Sequence, residues 1–121
     1  LVPEAEIEYS KFNKVGILAI GSCDGAVKEA LTKLSEKNIN LNYCRARAFP
    51  FTDAVREFVD QHDRIYVVEQ NRDAQLRTLL MLDIDADPGK LVSMLHYNGL
   101  PISADFVIER VLEETAKGQA A

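Results

Sequence analysis

The chain alternates between short, bulky apolar runs and longer stretches in which apolar residues recur every three or four positions. Runs of the first kind read as strands buried on both faces, and stretches of the second kind as helices with one apolar stripe. Lys14 to Ile20 (KVGILAI) is the clearest strand, and Ile65 to Val68 is a second of the same type. Leu91 to Leu95 is a weaker one. Leu41 to Phe49 also reads as a strand, ended by Pro50; its Arg45 and Arg47 share a side by the period of two, so that side faces solvent or a partner. Glu6-Ile7-Glu8-Tyr9 alternates polar with apolar, which suits a short edge strand with one wet face.

Helical stripes fall between these strands. Ala26, Val27, Ala30, Leu31 and Leu34 form the first, and Lys37-Asn38 stands where that helix should stop. Val55, Phe58 and Val59 form the second, with Thr52 placed to cap it. Leu76, Leu79 and Leu80 form the third; Asn71 is its natural N-cap, and Asp73 in the first turn suits the helix dipole. Ser103 caps the last, whose stripe is Ala104, Val107, Ile108, Val111 and Leu112, and Lys117 to Ala121 is expected to fray. Strands alternating with helices over short connections predict an α/β fold, a largely parallel sheet covered on both faces.

At 121 residues the chain is one domain, long enough to bury a core unaided. A formal net charge of −5 with no basic cluster excludes a nucleic-acid backbone as partner. No apolar run can span a bilayer and no charged-then-apolar signal opens the chain, so no membrane partner and a cytoplasmic location are expected. Residues 1–5 read as the remains of a linker, and a start at Leu1 rather than Met is what an excised piece of a longer protein would show.

Few residues suggest chemistry of their own. Cys23 and Cys44 are too few for a disulfide framework, form no C-x-x-C pair and have no histidine nearby in sequence. No metal ligand set is therefore expected. Gly21 to Gly25 lies between a strand and a helix, where phosphates are often held, yet it lacks both the GxGxxG pattern and the Walker lysine. A plain helix cap at Ser22 or Asp24 is the expectation there. Asp83, Asp85 and Asp87 imitate the start of a calcium loop, but Pro88 replaces its glycine and Met94 its closing glutamate. Cys23 near a helix N-terminus has acidic neighbours, which oppose a reactive thiolate, and His62 and His96 stand in expected loops with no convergent nucleophile. Glu69 and Asn71 are the residues that ask for a function. An acid at the end of a buried strand needs a partner or solvent, and turns at the carboxyl ends of strands are where ligands and partners are met. The alternative is structural, with Asn71 as a cap and Glu69 tying down a loop.

Taken in order, several segments resemble one family. Val67 to Leu76 (VVEQNRDAQL) is similar to the VVExNxxGQL text of the alpha subunits of 2-oxoacid:ferredoxin oxidoreductases. Val15 to Ala30 resembles the opening of the C-terminal domain of those subunits, Arg47 to Phe51 its second strand end, and Tyr97 to Ile102 (YNGLPI) the text that closes it. The resemblance runs over roughly residues 10–112 and departs at Ala74, where many relatives carry glycine. A better helix former there suggests a helix that starts earlier.

The resemblance implies a three-layer α/β/α sandwich like the C-terminal domain of transketolase, with about five strands, the first antiparallel at an edge. It implies a parent enzyme that uses thiamine diphosphate, Mg and iron–sulfur clusters to convert a 2-oxoacid, of the 2-oxoglutarate type, to an acyl-CoA, with ferredoxin as acceptor. The cofactor-binding segments of such enzymes belong to other domains, so no catalytic, cofactor or metal residue carries over and the isolated chain is expected to be inactive. Its partners would be the remaining domains of the alpha subunit and a beta subunit. Glu69, Asn71, Gln75, Tyr97 and Asn98 are the residues expected at that interface. A non-catalytic interaction or ligand-sensing module on the same fold, from a transketolase or pyruvate dehydrogenase relative, is the competing reading. Such relatives lack the Tyr97–Ile102 text.

Overall fold

Two continuous apolar runs become the central strands of one five-stranded sheet. The computed structural model describes residues 5–8, 14–20, 23–46, 50–70, 74–97 and 100–120, the side chains of Glu8, Ile20 and residues 118–120 aside. In chain order the elements are β1 (Glu6–Glu8), β2 (Val15–Ile20), α1 (Asp24–Glu36), β3 (Asn42–Ala46), α2 (Asp53–Gln61), β4 (Arg64–Glu69), α3 (Gln75–Asp83), a 3-10 turn (Pro88–Lys90), β5 (Leu91–Leu95) and α4 (Ala104–Ala120). The sheet order is β1-β3-β2-β4-β5. β2 runs parallel to both β3 and β4, and β4 parallel to β5. β1 joins the edge antiparallel to β3, Ile7 opposite Cys44, as the resemblance implies.

Burial on both faces explains the apolar runs within β2 and β4. Ile17, Ala19, Tyr66 and Val68 face one layer, where Val27, Ala30 and Leu34 of α1 meet Val107, Ile108 and Val111 of α4. Leu18, Ile65 and Val67 face the other, against Val55, Phe58 and Val59 of α2 and Leu76 and Leu80 of α3. Gly16 lets α2 approach the sheet. A Cβ at that position would stand 2.7 Å from Phe58 Cζ and 3.3 Å from His62 Cδ2.

Most helix ends follow the sequence. α1 stops at Lys37 with Asn38 left-handed at φ 63°; Asn38 N–H donates to Ser35 O (3.0 Å) and Ile39 N–H to Leu34 O (2.9 Å), a Schellman close. Ser103 Oγ accepts from Phe106 N–H at 3.2 Å and caps α4. Thr52 is the N-cap residue of α2, but its hydroxyl is buried without a hydrogen-bond partner among the described residues.

Several expectations change. Of the two expected caps, Ser22 lies outside the described residues and Asp24 does not serve: it is the first residue of α1, behind Cys23, and its carboxylate turns to side chains instead. The helix reaches further than its stripe, since α4 continues past Lys117 to Ala120. His62 is not in an open loop: it ends α2, fully buried. Its Nδ1 donates to Phe58 O (2.6 Å) and its Nε2 accepts from the Asn42 amide (2.8 Å), with the ring 4.3 Å from that of Phe58. α3 begins at Gln75 with Ala74 as its N-cap, so the cap position does not fall on Asn71 nor the first turn on Asp73. In the acidic loop, Asp83 accepts from Phe51 N–H and Asp87 from Gly89 N–H, both at 2.9 Å.

Candidate functional site

The carboxyl ends of β2, β3, β4 and β5 form one edge, and Glu69, Gln75 and Tyr97 of the sequence-predicted residues collect there. β4 delivers Glu69 to the end of the sheet, where its side chain is only 3% exposed. Glu69 Oε1 accepts from Leu76 N–H at 2.6 Å and Oε2 from Arg77 N–H at 3.2 Å. Those are two of the donors that the first turn of α3 leaves without an intrahelical partner. Ala74, the formal cap residue, has no side chain to offer them. A strand-end carboxylate thus does the work that sequence reasoning gave to Asn71, and the helix dipole favours its charge. Glu69 also accepts from His96 N–H through its carbonyl (2.9 Å), tying the end of β4 to the end of β5.

Ala74 itself is left-handed, φ 51° and ψ 44°. The alanine does not start the helix earlier, as its propensity suggested; it takes up the turn that glycine would enter freely.

Around this brace the exposed groups among the described residues are few. Gln75 lies on the surface at the start of α3. Tyr97, two residues beyond the partner of Glu69 in the ladder, is 63% exposed, and Leu100 is 66% exposed. His96 is half-buried, its ring edge-on to that of Phe106 at 5.0 Å. Asn71 and Asn98 lie outside the described residues. The structure therefore gathers Glu69, Gln75 and Tyr97 at one edge, with Glu69 behind the surface rather than on it.

A second polar group, which the sequence reading missed, sits where α1 meets β3 and β1. Tyr43 donates its hydroxyl to Asp24 Oδ1 at 2.7 Å, and Lys28 and Arg45 approach Asp24 Oδ2 at 3.4 and 3.8 Å. Arg45 also bridges to Glu6 at 3.2 Å. Beside them lies a cleft of about 190 Å³ lined by Glu6, Ile7, Lys28 and Tyr43. Burial pushes Asp24 up, but the Tyr43 hydroxyl and the two cations outweigh it and leave the carboxyl below its ordinary value. Tyr43 is raised by burial and by Asp24, so it is a hydrogen-bond donor and not a base. Tyr43 and Arg45 fall on one side of β3 by the period of two, the only signal that could have grouped them.

Among the described residues neither place offers a reactive thiolate. Burial and the Glu69 charge both raise the Cys23 thiol, and burial pushes Cys44 up to about 12. Among the described residues no three His, Cys, Asp or Glu side chains could hold a metal ion, and no helix is long and apolar enough to cross a membrane. What the carboxyl edge can do is present a braced, mixed polar and aromatic surface.

No family model matches the chain, and no curated protein matches it. Solved structures do. A 2-oxoglutarate:ferredoxin oxidoreductase from Magnetococcus marinus, solved with 2-oxoglutarate, coenzyme A and succinyl-CoA bound, superposes over 93% of this chain with a TM-score of 0.81 at 23% identity. This chain spans only 20% of that one. The alpha chain of a probable 2-oxoacid ferredoxin oxidoreductase from Thermoplasma acidophilum superposes over 91% of this chain and 95% of its own, with a TM-score of 0.61 at 24% identity. At such identities the shared property is the fold: a five-stranded mixed α/β sandwich of the kind found in 2-oxoacid:ferredoxin oxidoreductases.

Proposed function

We propose that the chain is the C-terminal domain of the alpha subunit of a cytoplasmic 2-oxoacid:ferredoxin oxidoreductase, and that it serves assembly rather than chemistry. The observation that supports this most is the superposition over 93% of this chain on one fifth of an oxidoreductase that binds 2-oxoglutarate and coenzyme A. The ordered text from Val67 to Leu76 and from Tyr97 to Ile102 points the same way.

Such a parent enzyme would decarboxylate a 2-oxoacid, 2-oxoglutarate in our reading, and form the acyl-CoA, with thiamine diphosphate, Mg and iron–sulfur clusters supplying the carbanion and electron chemistry and ferredoxin taking the electrons. Of those groups, a cluster does not fit this chain's own cysteines. A cluster takes four thiolates, whereas the chain has two cysteines, both buried. The role left to the domain is positional. Glu69 holds the α3 start and the β5 end in register, and Gln75 and Tyr97, together with Asn71 and Asn98, meet the neighbouring domains or the beta subunit. Hydrogen bonds at an interface of this kind fix orientation.

Co-expression with the rest of the alpha subunit and the beta subunit tests the reading. The chain should co-purify and acyl-CoA formation should depend on it, while Tyr97→Ala weakens co-purification and leaves the fold intact. A chain that stays unbound, or full activity in its absence, would sink the proposal.

A further inference from the structure

Among the described residues β5 is the long unpaired edge of the sheet, five residues against the three of β1 at the other side. His96 N–H donates to Glu69 O, so the even-numbered residues of β5 face β4. The odd-numbered ones turn their backbone groups outward, as a parallel ladder requires. A row of outward N–H and C=O groups is a template for another strand.

Two arginines reach that row from opposite sides. Arg77, on α3 in the layer with α2, donates from Nε to Leu91 O at 3.3 Å and from Nη2 to Pro88 O at 3.1 Å. Arg110, on α4 in the layer with α1, donates from Nη2 to Ser93 O at 3.4 Å. Leu91 and Ser93 are consecutive outward positions, so the two guanidiniums occupy neighbouring acceptors that an incoming strand would need. Arg110 is itself held in place by Glu113 at 2.9 Å and Glu114 at 3.6 Å.

We infer that Arg77 and Arg110 form a two-sided latch over the free edge of β5 that keeps a second copy of this chain from adding its own β5 to the sheet. The hydrogen bonds are long and individually weak. The latch works by occupancy: a pairing strand must displace both guanidiniums and leave two like charges beside the joint.

Light scattering across a concentration series tests this on the chain, the single variants Arg77→Ala and Arg110→Ala, and the double variant. The wild type should keep a constant mass, while the double variant doubles its mass or goes higher with a native circular dichroism spectrum. Removing two cations makes the chain more negative, which alone opposes association, so a rise in mass would reflect the uncovered edge. Ser93→Pro added to the double variant deletes an outward N–H without touching the β4 ladder, and should return the mass to that of the wild type. Each single variant sheds only its own arginine's weak bonds and decides the matter if the double variant loses its spectrum. Constant mass in every folded variant, or association that Ser93→Pro leaves unchanged, would overturn the inference.

Discussion

Ala74 and Glu69 show how much one residue carries at the braced edge. An alanine held at φ 51° gives up roughly 1–2 kcal/mol that glycine would not. Ala74→Gly should therefore stabilise the chain by about 0.5–1 kcal/mol in urea unfolding, after allowing for the entropy of a freer unfolded chain. A loss of stability would mean the left-handed turn is wrong. Glu69→Ala should do the opposite: it strands two helix-start donors at a buried site, at a cost of roughly 1–3 kcal/mol. Glu69→Gln, which keeps one acceptor, should cost less, and equal melting temperatures for the two variants would refute the brace. The importance of Glu69 was legible in the sequence as a buried acid needing a partner. Its partners were not, because local spacing favours a nearby cap such as Asn71, whereas a strand-end side chain reaching seven residues ahead depends on the turn between.

At the scale of elements, the sequence was most reliable where burial is two-sided. β2 and β4 could be read directly from their apolar runs, since both faces are covered. The antiparallel place of β1 came from its alternation together with the family resemblance. The continuation of α4 was hidden because it has no apolar stripe past Leu112; Lys117 pairs instead with Glu114 at 3.3 Å on its surface. His62 was misread for a related reason: a polar residue after an apolar stripe looks like a loop until Asn42, twenty residues earlier, supplies its partner. The contact between α2 and β2 yields a sharp expectation. Gly16→Ala places a methyl within 3 Å of a fully buried ring and should destabilise by about 1–3 kcal/mol, seen as a lower urea midpoint with an unchanged slope. Gly25→Ala, whose added Cβ meets nothing within 4 Å, is the matched control and should gain slightly through helix propensity.

For the whole molecule, buried acids set the alkaline limit. Cys44 is raised by burial from its ordinary 9.0 to about 12, and Cys23 and Tyr43 are raised as well. A group whose folded value lies above its unfolded one contributes stability in full below the unfolded value and loses it as pH rises toward the folded one. The melting temperature should thus hold up to about pH 9 and fall between there and 12, and Cys44→Ala should flatten the fall; an unchanged slope would clear Cys44. The division of the core has a different kind of outcome. α1 and α4 pack together on one face, and α2 and α3 cover the other, so neither layer can come away without uncovering β2 and β4. The chain should therefore melt in a single step. In native-state hydrogen exchange, the amides of β2 and β4 should wait for that global event. Those of β1, three residues at the rim, should exchange through a local opening that costs far less. Time itself would then sort the strands, the first in sequence being the first to let water in.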